Sequence, residues 1–534
     1  MPSESKRLPP NRRLLLAGGG ALAGGLLLRP PGAWAADSDP VARTRHGPVR
    51  GSRDGPVTVF KGVRYGADTG PRRFQPPAAP APWTDVIPAT AYGPASPQRG
   101  RGEGAMSEDC LFLNVWTPGL RDGARRPVMV YIHGGAYSTG SGSAALYDGT
   151  RLARRGDVVA VSLNHRLNAF GYAYLARLGG ADLADSGNAG QLDLLLALRW
   201  VRENIAEFGG DPGNVMLFGQ SGGGAKIATL MATPDAKGLF HRAATMSGQQ
   251  VTASGPGNAT RRTEALLDAL KLKRDQIGDL RTLPAARLLD GLAAEDPILG
   301  FGGLYFGPVL DGRSLPHHPF YPGAPAQSAS VPMMIGNVHD ETRAFMGGDP
   351  TNFTVGWDGL AAKLTQPNLR VDVQPDAVIA EYRRLYPAYS ASQVLFAATT
   401  ASRSWRAAVI EAEARAEAGT PAFVYQLDWA TPRDGRKFGA MHTDDIALVF
   451  DNVAQPGARA EGPQAQAMAD QMSSAFLAFA RSGDPNTSAL PRWEPYTLPR
   501  RQTMVFNVPS KLVDDPRGGE RRFFAELPFV QAGT

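Results

Sequence analysis

Cys110 is the only cysteine in the chain, so no internal disulfide can form and stability must come from packing. With 534 residues, 43% of them apolar, there is material for a large core. Beyond residue 35 no stretch approaches the ~20 apolar residues needed to span a bilayer. An excess of one charge is missing too. The formal charge is +6, but five of the 56 basic and one of the 50 acidic residues lie within 1–35, which leaves +2 for the rest. No basic stripe points to nucleic acid. Only eight histidines are present, and none shares a metal-ligand spacing with Cys, Asp or Glu. The sequence therefore predicts no metal site.

The first 35 residues read as an export signal. Met1 to Arg13 is basic, Leu14 to Leu28 is apolar and rich in Gly and Ala, and Ala33-Trp34-Ala35 offers small residues for cleavage after Ala35. Asn11-Arg12-Arg13-Leu14-Leu15 resembles a twin-arginine signal, which carries folded proteins across a membrane. The alternative is an uncleaved anchor. The expectation is an exported protein, periplasmic or extracellular, not inserted in a membrane after signal removal.

Residues 41–65 predict short hairpins around Gly51 and Gly55-Pro56, and 66–105 predict loop. Strands then alternate with helices. Val128 to His133, Val158 to Leu163, Asn214 to Gly219, Met333 to Gly336 and Ala422 to Gln426 are apolar runs of strand length. Gln191 to Phe208 has helical spacing, and another helix is expected from about Ala225. The alternation predicts an α/β fold with a mostly parallel, helix-flanked sheet. Residues 251–300 and 345–420 read as helical insertions over the strand ends, where substrate pockets form. No linker or repeat divides 36–534, which is read as a single domain.

Gly219-Gln220-Ser221-Gly222-Gly223 matches G-x-S-x-G between a strand and a helix. That context lifts a serine to the top of a sheet, with a helix N-terminus behind it. Upstream, His133-Gly134-Gly135-Ala136-Tyr137 closes another strand. Gly-rich turns of this kind aim N–H groups at a carbonyl oxygen that becomes negative. Gly135 and Ala136 are the expected donors, with Gly222 the third.

These motifs, together with others in register, resemble the type-B carboxylesterase family, which includes the cholinesterases. Phe60-Lys61-Gly62-Val63-Arg64-Tyr65, the run Ser107 to Trp116, the run Asn164 to Gly171, Gly187-Asn188-Ala189-Gly190 and Phe208 to Pro212 are similar to its signatures in order. The resemblance runs from about Val41 to Tyr496. It implies an α/β-hydrolase fold, no cofactor and two-step hydrolysis of a small-molecule ester. It also implies Glu341, in Gly336 to Thr342, as the acid, and His442, in Gly439 to Asp444, as the base. The order Ser, Glu, His agrees with that fold.

Rivals remain at this stage. Asp340 is the alternative acid, and Asp444 and Asp445 follow His442 closely. His133 is read as shaping the oxyanion turn, whereas His165, His317, His318 and His339 fall in loops. Ser247 either hydrogen-bonds near the triad or ends a strand in the core. The chain also departs from the family pattern. Ser96 stands where relatives pair a cysteine with the one at Cys110. The Ser96–Cys110 loop lacks the tryptophan that holds quaternary ammonium and carries Arg99 and Arg101 instead. Gln220 replaces a glutamate common in relatives, and Ala136 replaces a glycine, as in esterases that accept bulky alcohols. The expected activity is hydrolysis of short- to medium-chain, neutral or acidic esters rather than choline esters. The alternatives are a lipase, an amidase, a polyester or toxin-ester hydrolase, or a non-catalytic cholinesterase-like binding protein. The sequence sets no oligomeric state.

Overall fold

The apolar runs lack alternation because helices cover both faces of the strands they form. In the computed structural model, which describes residues 39–100, 104–531 and 533–534, Pro40–Thr534 form one unit. The expected export signal, residues 1–35, lies outside the described residues. The strands are β1 (Val41–Arg43), β2 (Pro48–Arg50), β3 (Ser52–Asp54), β4 (Val57–Arg64), β5 (Ile87–Pro88), β6 (Phe112–Thr117) and β7 (Arg126–Ile132). They continue with β8 (Val159–Leu163), β9 (Gly210–Gln220), β10 (Arg242–Met246), β11 (Met333–Val338), β12 (Ala422–Leu427), β13 (Gln502–Phe506) and β14 (Lys511–Asp514). Among the described residues, β1, β2 and β5 make a small sheet, and the other strands form one sheet in the order β14-β13-β12-β11-β10-β9-β7-β8-β6-β4-β3. Within this large sheet every pairing from β8 across to β13 is parallel, and the strands flanking that block pair antiparallel.

Successive residues of a strand face opposite layers, as the pleat requires. Val128, Val130 and Ile132 of β7 and Val215 and Leu217 of β9 enter one core, and Met129, Tyr131, Met216 and Phe218 enter the other. The helix Ala189–Asn204 packs on the first face through Leu194, Leu198 and Val201. The helix Ala465–Ser482 covers the second through Met468, Met472 and Phe476. The fold is that of an α/β-hydrolase.

The pattern located β7, β8, β11 and β12, but β9 runs from Gly210 rather than Asn214. The following helix begins at Gly222, three residues before the expected Ala225, because the turn is confined to Ser221. Both insertions are helical, including Pro256–Leu270 and Ala285–Gly291 in the first and Pro375–Leu385, Ala391–Thr400 and Arg406–Glu417 in the second. Each builds its own apolar cluster, the first joining Leu266 and Leu267 to Tyr137 beside the predicted oxyanion turn. Arg166 and Asp193 form a fully buried ion pair at 2.6 Å that ties the segment after β8 to the helix Ala189–Asn204. Among the described residues no helix is long and apolar enough to cross a membrane.

Candidate active site

Loops at the carboxyl ends of parallel strands are where such sheets bind ligands. Here β7 delivers Gly134, Gly135 and Ala136, β9 delivers Ser221, and β11 delivers Glu341. The segment after β12 brings His442. Register holds these ends level, with Ile132 beside Gly219, Met246 beside Gln220, and Met246 beside Gly336.

Ser221 sits at φ 56 and ψ −129, a conformation that costs a side-chain-bearing residue about 1–3 kcal/mol. The chain around it enforces the turn. Ser221 N donates to Met246 O at 2.7 Å, and Ser221 O accepts from Ala225 N at 3.2 Å. A Cβ on Gly223 would lie 1.9 Å from Ile132 O, and one on Gly219 2.7 Å from the same oxygen. These close approaches explain the glycines that flank the serine.

Glu341 is fully buried and spends both oxygens. Oε1 accepts from Asn337 Nδ2 at 2.9 Å and Val338 N at 3.1 Å, and Oε2 meets His442 Nδ1 at 2.5 Å. With Nδ1–H donating to the carboxylate, Nε2 is left as the basic nitrogen. The Gln220 carboxamide nitrogen lies 3.2 Å from Nε2 and 3.4 Å from Nδ1. No hydrogen bond joins Ser221 Oγ to His442; the two share a cavity and Gln220 holds the ring. Such contacts commonly tighten only when substrate is bound. Phe345 packs against the imidazole, ring centroids 4.8 Å apart.

Ser221, His442, Gly135, Ala136 and Gly222 all line a cavity of 490 Å³. Among the described residues the N–H groups of Gly135, Ala136 and Gly222 have no protein acceptor. Gly135 (φ 81) and Ala136 (φ 53) are both left-handed, and a Cβ on Gly222 would touch Ala136 O at 2.1 Å, so the two turns abut. Three free donors thus converge beside Ser221.

A buried layer braces that turn from behind. His133 Nδ1 bonds to Gly134 O at 2.9 Å, and Lys226 Nζ donates to His133 O at 3.1 Å. Fixing these two carbonyls fixes the opposed N–H groups of Gly135 and Gly134. The rings of His133 and His165 stack with centroids 4.8 Å apart. Burial, with Lys226 adding to it, pushes His133 down to about 3 and His165 well below the ordinary imidazole value. Both are neutral. Burial also pushes Lys226 down to about 7.

The rivals are turned elsewhere. Asp340 faces His339 Nδ1 at 3.1 Å, Arg343 Nε at 2.9 Å and Ala440 N at 3.2 Å. Asp445 accepts from Tyr425 OH at 2.9 Å, and burial followed by the charge of Glu341 pushes it up to about 7. Asp444 accepts from Met441 N and pairs with Arg459. Ser247 lines the cavity with a buried hydroxyl that has no hydrogen-bond partner, so it belongs to neither expected role alone. His165 is buried against His133 rather than solvated. Cys110 is free, and burial pushes its thiol up. Arg99 is exposed and away from the cavity, and Arg101 lies outside the described residues. Sequence reasoning missed Lys226, a charged residue in an otherwise apolar helix, and two cavity arginines, Arg370 and Arg403. Among the described residues no cluster of His, Cys, Asp and Glu could hold a metal ion.

The sequence profile of the Carboxylesterase family matches residues 38–523. The para-nitrobenzyl esterase of Bacillus subtilis (strain 168) is 34% identical over 498 residues, covering 90% of this chain and 98% of that protein. The solved carboxylesterase of Geobacillus stearothermophilus superposes with a TM-score of 0.80 at 38% identity, over 91% of this chain and 99% of that one. A solved esterase of Clostridium hathewayi, described as able to hydrolyse aliphatic aromatic polyesters, gives a TM-score of 0.76 at 32% identity, over 92% and 99% of the chains.

Proposed function

The chain belongs to the carboxylesterase family and is a serine ester hydrolase, and from that premise we propose that Ser221, Glu341 and His442 are its triad, acting on short- to medium-chain esters. The observation that carries this is one cavity uniting a strained serine, an imidazole fixed by a buried carboxylate, and three unpaired N–H groups.

In this mechanism Ser221 Oγ attacks the ester carbonyl carbon while His442 Nε2 takes its proton, the Gln220 amide giving way. The carbonyl oxygen becomes negative among the N–H groups of Gly135, Ala136 and Gly222. Glu341 holds the imidazolium through Nδ1. The C–O bond to the alcohol breaks, Nε2–H protonates the leaving oxygen, and an acyl-enzyme remains. Water then attacks the acyl carbon, giving its proton to Nε2, and Ser221 leaves as the free hydroxyl with the carboxylic acid as second product. Oriented donors in a dry site are worth about 10²–10³ each in rate.

The test is hydrolysis of p-nitrophenyl acetate, butyrate and laurate by the protein and by Ser221→Ala. The reading expects butyrate to exceed laurate, and the variant to lose at least ~10³-fold. Laurate as the best substrate would favour a lipase, and equal rates in both proteins would reject Ser221. The likeness to the Clostridium hathewayi esterase supports a second reading, cleavage of aliphatic aromatic polyesters, read by release of soluble acid from polymer film. The sequence of residues 1–35 supports export with cleavage after Ala35. N-terminal sequencing of protein recovered outside the cytoplasm should begin at Ala36; a chain beginning at Met1 would reject cleavage.

A further inference from the structure

The cavity around Ser221 is also lined by two guanidinium groups that ester cleavage itself does not use. Arg403 sits on a π-helical turn, Ala401–Trp405, a feature often found at functional sites. Arg370 follows the short helix Gln366–Leu369 in the left-handed region, at φ 56.

Neither arginine has an ion pair or a side-chain hydrogen bond among the described residues, and Arg370 Nε is buried without any partner. Elsewhere the buried arginines have fixed acceptors: Arg166 pairs with Asp193, Arg262 with Asp296 and Arg517 with Glu520, and Arg415, without a carboxylate, donates to the Ser328 and Val331 carbonyls. Desolvation pushes Arg403 down to about 10, and the charge of Arg370 adds to it. Desolvation lowers Arg370 as well. The one carboxylate whose charge reaches Arg403 is Glu341, which is already committed to His442. Two cations are therefore held together, partly desolvated and uncompensated.

Their place in the cavity is defined by rings. The Arg403 guanidinium lies 4.5 Å from the Phe345 centroid, and Phe345 lies 4.8 Å from the His442 ring. One aromatic ring separates the cation from the base. Tyr305 shares this wall, and both arginines act on its hydroxyl. Gln531 also lines it, with Oε1 held by Val251 N at 3.0 Å and its NH₂ end left as a donor.

We propose that Arg370 and Arg403 form an anion subsite within the substrate cavity, and that the preferred esters carry a free carboxylate remote from the scissile bond. Half-esters of dicarboxylic acids and esters of carboxyl-bearing alcohols are the two ways to present that group. The inference rests on the reading of Ser221 as nucleophile. Planar guanidinium groups take carboxylates through parallel N–H bonds, and a bound carboxylate relieves the repulsion between the two cations.

The test uses two pairs of esters matched in shape. Monoethyl adipate against ethyl hexanoate puts the carboxylate on the acyl side, and 4-carboxybenzyl butanoate against benzyl butanoate puts it on the alcohol side. The expected result is at least a tenfold higher kcat/KM for the charged member of one pair, arising mainly in KM. That preference should shrink when ionic strength rises from about 0.01 M to about 1 M, which shortens the screening length from about 30 to about 3 Å. Arg403→Gln and Arg370→Gln should each lower kcat/KM for the charged ester at least tenfold more than for its neutral partner, and Arg403→Lys should restore part of the difference. The neutral partner, measured on the same variant, separates loss of the subsite from loss of the fold. Wild-type protein that cleaves the neutral esters but gains nothing from the carboxylate in either pair overturns the subsite and leaves the esterase reading standing. A preference untouched by both Gln variants overturns the assignment to these arginines. No cleavage of any of the four esters overturns both readings.

Discussion

Replacing Lys226 by methionine should make the protein more stable and a poorer enzyme. Lys226 is fully buried; its ammonium donates to His133 O at 3.1 Å and lies 5.7 Å from the Tyr137 ring centroid, with no carboxylate partner. Burial pushes it from 10.5 down to about 7. The unfolded chain therefore keeps this proton up to about pH 10.5 and the folded chain only to about 7. The folded state is penalised in full below pH 7, and the penalty fades as pH rises from 7 to 10.5. The gap corresponds to about 5 kcal/mol. The neighbours do not titrate across that window: His133 and His165 are held neutral by burial, and Tyr137 is pushed well above its ordinary value. Methionine keeps the volume but leaves His133 O unpaired, a cost of about 1–3 kcal/mol. The net gain at pH 6 is then about 2–4 kcal/mol, turning into a loss near pH 10. Urea unfolding of both proteins at pH 6, 7, 8, 9 and 10 measures the crossing. The loosened oxyanion turn should lower kcat by about ten- to a hundredfold, less than the about 10²–10³ of a donor lost outright. A stability difference that is flat with pH, or a variant less stable at pH 6, would refute the desolvated cation.

Other perturbations have similarly definite signs. Gly223→Ala would set a Cβ 1.9 Å from the Ile132 carbonyl oxygen, so soluble yield and the near-UV circular dichroism of the native fold should be lost. Asp193→Ala leaves Arg166 buried without its partner and should cost about 3–5 kcal/mol in urea unfolding. Glu341→Gln replaces the carboxylate on Nδ1 and should reduce kcat for p-nitrophenyl butyrate by about 10⁴-fold. Gln220→Glu places a negative charge where the amide nitrogen lies 3.2 Å from Nε2; it stabilises the imidazolium, so the acid limb of the pH–rate profile should move to higher pH. An unmoved limb would mean that the side chain turns away from the ring.

The sequence makes the site's framework legible where local chemistry is demanding. The strand–turn–helix around Ser221 admits few residue types, so Gly219 and Gly223 announce it. Strands β7, β8 and β12 announce themselves because both their faces are buried and need continuous apolar runs. Strand β10 did not, since Arg242-Ala243-Ala244-Thr245-Met246 is rich in small residues with weak strand preference; its neighbours β9 and β11 hold it in place. The motifs that carry the resemblance end at Tyr496, short of β13 and β14, although the family profile reaches residue 523 and takes both strands in. The assignment of Glu341 over Asp340 came from resemblance, and geometry supplies its reason: adjacent residues point apart, Glu341 to His442 and Asp340 to His339 and Arg343. Arg370 and Arg403 lie far apart in sequence from each other and from Ser221, on irregular turns, so no periodicity links them. Arg99, which draws attention by lying near Cys110, is not among the residues that line the cavity.

The central claim is that Ser221 forms a covalent acyl intermediate, and the most direct measurement is peptide mass mapping after reaction with a fluorophosphonate ester. One adduct per chain, on the peptide containing Gly219 to Ala225 and located on Ser221, is the expected result, absent in Ser221→Ala and slowed by orders of magnitude in His442→Ala. An adduct on another residue, or none in a folded protein that still cleaves p-nitrophenyl butyrate, would contradict the account.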